Sequence, residues 1–224
     1  MAIEKLVQVQ MALFFETLEN RPDKIANKIE DAIENVFDQM PNIIPLPSDA
    51  PPEIPRVVMN SSDRIFTCNI SKLRADFIGN FSNLEDEIDV TIDNFLDTAS
   101  KFLKAVINVK RIIRFGLVGQ YFFEEQNLTE KLKHKYFRPD IGDFDELNLK
   151  FNKRFEFDGI QFNDVVDIIH GFLTGPNGIE IKGGFIQKDI NNIPSNPLRL
   201  DTILNLIENK KVTYYEKQIR ELIN

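Results

Sequence analysis

Apolar positions change period along the chain, and the changes mark out its elements. Val7, Val9, Met11, Leu13 and Phe15 alternate with other residues, the period-2 pattern of a strand with one buried face. Asn20-Arg21-Pro22-Asp23 then opens a helix with proline in its first turn, and Ile25, Ile29, Ile33 and Phe37 fall four apart on one face. That spacing predicts a helix ending near Met40. Three short strands follow at Arg56–Met59, Arg64–Ile70 and Leu73–Ile78, and a long helix runs from about Leu84 to Ile107. The stripe of that helix includes Ile88, Ile92, Phe95, Ala99, Phe102 and Val106.

The same order recurs beyond residue 110. Arg111–Glu124 reads as a strand, Leu128–Tyr136 as a short helix, and Leu147–Phe157, Ile160–Leu173 and Ile179–Ile190 as three strands. Asp158-Gly159 is a two-residue hairpin turn, and a second turn falls at Gly175-Pro176-Asn177-Gly178. The apolar phase of the last strand shifts between Ile181 and Ile186, which predicts a bulge at Gly183-Gly184. Helical sequence closes the chain from about Leu198 to Ile223, with a stripe of Leu200, Ile203, Ile207, Tyr214, Ile219 and Leu222. Its apolar arc is broad enough to suggest a homodimer or a partner groove.

The expected fold class is therefore α+β, with mostly antiparallel sheets and packed long helices. Strand–helix–three strands–helix occurs twice, in residues 1–110 and 111–224, which predicts an internal duplication with two sheets in one compact domain.

Composition narrows function more than it defines it. Of 224 residues 42% are apolar and 28% charged, an ordinary globular balance that argues against disorder. The 19 phenylalanines and absent tryptophan predict a core rich in phenyl rings. A net charge of −8 disfavours nucleic acid, because affinity for phosphates needs a basic surface, and the short basic runs 131–135 and 150–154 are interleaved with apolar residues. The single cysteine, Cys68, forms no intrachain disulfide and sits in a strand-like alternation. Without a signal-like leader or a bilayer-length apolar run, the expected location is cytoplasmic, with no membrane partner.

Candidate chemistry is sparse, and no cofactor is expected. No phosphate loop, dinucleotide fingerprint, nucleophile elbow or zinc-protease helix is present. His170 shares a strand face with Val166, Ile168 and Phe172, with Asp164 further along it; a histidine–carboxylate pair in a pocket is the one general-base candidate, and a satisfied core histidine the alternative. Asp140, Asp143, Asp145 and Glu146 crowd one loop that suits a hard cation, but their spacing departs from the calcium-binding helix–loop–helix pattern and equally suits a solvated turn. Glu85-Asp86-Glu87 suits a helix start.

Six prolines in residues 41–55 make the most distinctive segment. It serves either as a recognition strip through Pro51, Pro52, Glu53 and Arg56, or as a strap held by Ile43, Ile44, Leu46 and Ile54 with Glu53 and Arg56 in ion pairs. Together with Leu18–Pro22, Arg114–Gly119, Leu149–Asn152 and Gln187–Asn191, the run Pro45–Arg56 resembles a sporadically distributed family of uncharacterised bacterial proteins. The resemblance spans nearly the whole chain. It implies a mobile-element or phage-defence setting, and no activity, cofactor or site residue. The leading expectation is a non-catalytic interaction or regulatory protein, self-associating or bound to a protein partner. The alternatives are a small-ligand binder with a pocket between the halves and a hydrolase or nuclease with an unfamiliar site.

Overall fold

The computed structural model of the chain describes residues 4–47, 49–81, 87–174, 178–194, 196–208 and 221–223. Its elements in chain order are β1 (Glu4–Phe15), α1 (Pro22–Ala32), β2 (Asn42–Ile43), β3 (Val57–Asn60), β4 (Phe66–Ile70), β5 (Arg74–Asn80), α2 (Ile88–Ile107), β6 (Ile112–Glu124), α3 (Leu128–Tyr136), β7 (Leu149–Phe157), β8 (Ile160–Thr174), β9 (Glu180–Asn192) and α4 (Leu200–Glu208). The fold is α+β and mostly sheet.

All nine strands join one sheet in the order β2-β3-β4-β5-β1-β6-β9-β8-β7. Neighbours are antiparallel throughout. Two separate sheets were expected. They are fused because β1 and β6 pair directly, Met11 opposite Leu117 and Leu13 opposite Phe115. Each of these central strands therefore has its own meander on its far side.

One face of the sheet carries the core. Val9, Met11 and Leu13 of β1, Phe77 of β5 and Phe115 and Leu117 of β6 are at most 1% exposed. Helix α2 packs on β1 and β5 and also touches α1 and α4, while α1 lies on β3 and β4. Phe77 is the hub of this layer. Its ring centroid lies 5.4 Å from Phe66, 5.2 Å from Phe95 and 5.5 Å from Phe102, all stacked, and 6.2 Å edge-on from Phe37. Offset and edge-on pairs of this kind satisfy the ring quadrupoles as well as filling space.

The opposite face is an amide and charge ladder. Gln8 donates to Asn80 at 2.8 Å, Gln10 to Asp76 at 3.0 Å, Asn163 to Asn191 at 3.1 Å and Lys150 to Asp167 at 3.1 Å. Alternation along antiparallel strands produces this division, one side apolar and the other largely polar apart from the Phe122–Phe185 pair, 5.3 Å between centroids. Fully buried Asn192 locks β6 to β9 near the end of the sheet. Its side chain accepts from Phe115 N–H at 2.6 Å and donates to the Ile113 and Ile193 carbonyls at 3.0 Å.

Several local expectations are corrected. Helix α1 stops at Ala32 rather than Met40, because Asn35 adopts a φ of +62° and turns the chain; Ile33 and Phe37 remain buried beyond the helix. No bulge interrupts β9. Its register runs unbroken through Gly171↔Gly183 and His170↔Gly184 on one side and Phe123↔Gly184 on the other. Ile181 and Ile186 simply face opposite sides of the unbroken strand, Ile181 half-buried on one and Ile186 in the core on the other. The Asp158-Gly159 hairpin turn is present, with φ of +52° and +73°, as a two-residue turn of this hand requires. Leu84 to Asp86, Gly175 to Asn177, and Tyr214, Tyr215 and Ile219 lie outside the described residues.

Candidate functional site

The sheet positions one cleft where α3 begins beside the last residues of β8 and the first of β9. It encloses about 490 Å³ and is lined by Glu125, Asn127, Thr129, Glu130, Phe144, Asp145, Glu146, His170, Phe172 and Lys182, among others. Three short stretches of chain converge here: the β6–α3 turn, the loop before β7, and the paired ends of β8 and β9. Gly183 and Gly184 allow the approach. A β-carbon on Gly183 would stand 2.0 Å from the Phe123 carbonyl oxygen, and one on Gly184 would stand 2.6 Å from Leu128 of α3.

His170 lies in the wall, bonded to a neutral partner. Its Nε2 is 3.0 Å from the Thr129 hydroxyl, which donates to the Asp145 carbonyl at 3.2 Å. This arrangement orients the imidazole against the start of α3.

The carboxylates differ in how far they are neutralised. Burial pushes the Glu125 carboxyl up, but Lys131 at 2.5 Å and the Asn127 N–H outweigh it and hold the group below the usual range. Glu130 stands in the first turn of α3, where the helix dipole favours it, with His134 at 3.9 Å. Asp145 and Glu146 are exposed and form no ion pair among the described residues. Two phenyl rings share the cleft with them, Phe144 at 38% and Phe172 at 57% exposure. An aromatic face beside carboxylates is an arrangement that holds ammonium or guanidinium groups.

His170 and Asp164 share a face but are not brought together. Six residues of extended strand separate them, about 20 Å. Asp164 instead stands 3.7 Å from Lys188, an ion pair too long for a hydrogen bond, and Lys188 is only 3% exposed. Burial lowers the Lys188 ammonium's pKa, Asp164 opposes that, and nearby Lys153 reinforces it. This pair belongs to the core side of the sheet.

The acidic loop is likewise dispersed. Asp140 lies in a 3-10 turn at Pro139–Ile141 and is exposed, whereas Asp143 accepts from Lys133 at 2.7 Å. The hydrogen bond to Lys133 holds the Asp143 carboxyl below its usual range and raises the lysine in return. Asp145 and Glu146 reach the cleft, and Asp140 and Asp143 do not line it. No group of three or more metal-ligating side chains occurs among the described residues.

The proline segment is tied to its own sheet. Ile44 N–H donates to the Arg56 carbonyl at 2.9 Å, Lys72 N–H to the Pro52 carbonyl at 3.0 Å, and the Arg56 guanidinium to the Ala50 carbonyl at 3.0 Å. The ion pair expected of Arg56 gives way to these bonds to backbone. Pro51 and Glu53 remain exposed, and Pro52 and Arg56 are half-buried.

The basic run 131–135 supplies internal ion pairs, Lys131 to Glu125 and Lys133 to Asp143. Cys68 is fully buried, and burial, then the charge of Asp76, raises its thiol's pKa well above the usual range. Among the described residues no helix is long and apolar enough to cross a membrane. A second hollow of about 630 Å³ lies between α2 and α4, with Asp93, Asp97, Lys101 and Lys104 on one wall and Leu204 and Ile207 on the other.

Sequence reasoning flagged His170, Asp145 and Glu146 but missed Glu125, Thr129, Glu130, Phe144 and Lys182. The one available signal was Phe172, an apolar residue continuing the core face of β8 past the point where the core ends. No protein-family model matches the chain, and no curated protein matches it significantly.

Proposed function

We propose that this chain is a non-catalytic interaction protein whose acidic cleft captures a positively charged group of a protein partner. One observation carries the reading: Glu130, Asp145 and Glu146 line the same cleft as the exposed rings of Phe144 and Phe172, and the last two carboxylates have no cation of their own among the described residues. The bland role for Glu130, stabilising the helix start, does not extend to the loop residues. His170 supports the wall and holds the loop through Thr129. The net charge of −8 accelerates encounter with a basic partner and makes the association salt-dependent. In the mobile-element setting that the sequence resemblance implies, that partner is the product of a neighbouring gene.

A labelled hexaarginine peptide, followed by fluorescence anisotropy at low salt, tests the reading. Binding to Glu130→Gln/Glu146→Gln is expected to weaken about tenfold, roughly 1.4 kcal/mol. Asp31→Asn/Glu34→Gln, which removes equal charge from exposed positions at the end of α1, is expected to leave affinity unchanged. Equal weakening by both pairs would reduce the effect to net charge and refute the cleft.

A further inference from the structure

The polar face of the sheet holds a second arrangement, opposite in charge to the cleft. Phe14 of β1 pairs with Arg74 of β5 on one side and with Arg114 of β6 on the other. The three side chains form a row across the centre of the sheet. Both guanidinium carbons lie over the Phe14 ring, Arg74 at 5.4 Å and Arg114 at 5.1 Å from its centroid.

Stacking uses only the flat face of a guanidinium. Its five N–H donors lie in the plane and stay available for acceptors. Arg74 directs Nε to the Asp76 carboxylate at 3.0 Å. Arg114 has no such acceptor: it is half-buried, its Nε is fully buried without a hydrogen-bond partner, and it makes no ion pair among the described residues. A desolvated cation donor of this kind costs free energy unless something accepts from it. Two arginines stand here against one carboxylate, so the row carries an unbalanced positive charge on an otherwise acidic protein.

The row is reached from its outer side. The Arg74 side chain is 38% exposed and Arg114 is half-buried, whereas Ala12 and Gly116, the next positions on the same face, are buried.

We propose that the Arg74–Phe14–Arg114 row is a carboxylate-recognition site that receives an acidic side chain of a protein partner at the outer edges of its guanidinium forks. Guanidinium forks match carboxylates two bonds at a time, and the phenyl ring holds both forks in place. A nucleic acid fits less well. Asp189 and Asp167 extend along the same face of β9 and β8, where further phosphates would meet them. One isolated carboxylate meets no such repulsion.

A dye-labelled peptide carrying a single glutamate among glycines and serines, with an amidated C-terminus, tests the site on the full chain, with inorganic phosphate and a twelve-nucleotide oligothymidylate as comparison arms. The wild type is expected to bind the peptide saturably, and Arg114→Gln to weaken it at least tenfold with an unchanged circular dichroism spectrum. Arg114→Lys, which keeps the charge but loses the fork, is expected to weaken it several-fold. Gly116→Leu raises a bulky side chain beside the forks without touching a charge and is expected to act like Arg114→Gln. No peptide binding, peptide binding indifferent to Arg114 and Gly116, or preference for phosphate or oligothymidylate would each overturn the proposal.

Discussion

Replacing Phe77 with alanine is expected to lower the unfolding free energy by about 3–5 kcal/mol, the cost of truncating a fully buried phenylalanine in a site that collapses poorly. Phe77 is 0% exposed and touches four other rings from three directions, so no single neighbour can move into the space it leaves. Phe95 and Phe102 sit on α2, whose backbone is held against both β1 and β5. In guanidinium titrations the midpoint is expected to fall with little change in slope, and the melting temperature to drop by about 10 °C for a chain of this size. Truncating Phe66, which stacks on the same ring but is half-buried, is expected to cost less. Equal losses at both positions would show that the cluster has no hub.

The second large effect is expected at Gly183. Alanine there would place a β-carbon 2.0 Å from the Phe123 carbonyl oxygen and 2.9 Å from the Phe122 ring. The ring can tilt, but the carbonyl belongs to β6, which is paired to β9 through this position. Relief therefore requires the two strands to separate. Overpacking against movable side chains costs about 1–3 kcal/mol, and an immovable backbone sets the expectation at or above the top of that range. Because Gly183 also lines the cleft, Gly183→Ala is expected to weaken hexaarginine binding along with stability, whereas Phe77→Ala, studied well below its melting temperature, is expected to leave binding intact. A Gly183→Ala protein with unaltered stability would mean that β6 and β9 are less tightly joined than their register implies.

Gly183 also shows what was legible in the chain and what was not. Element type and order were readable because periods of 2 and 3.6 report which face is buried, and α3 falls at Leu128–Tyr136 as its spacing indicated. The paired glycines were noticed but misinterpreted. They stand where Phe123, Leu128 and Phe122 occupy the space of a side chain, a tertiary cause that local phase cannot reveal. The single sheet was hidden for the same reason. Apolar alternation shows that β1 and β6 are strands, yet nothing local says that their edges meet.

The cleft was harder still. His170 was visible as a member of a strand face, but its partner Thr129 lies 41 positions earlier, on a helix, in no recognisable spacing. Asp145 and Glu146 stood out only as acidic residues, and their meaning depends on exposed Phe144 and Phe172 beside them. Arg56 illustrates the opposite error. Its charge suggested an ion pair, while the proline segment offered carbonyls that the guanidinium bonds instead.

Residue-resolved amide NMR during a hexaarginine titration most directly probes how this molecule engages others. Shifts are predicted to saturate at 125–130, 144–146, 170–172 and 182–183, and to fade as salt is raised. Shifts spread over every acidic surface, or gathered in the α2–α4 hollow with these segments silent, would contradict the account.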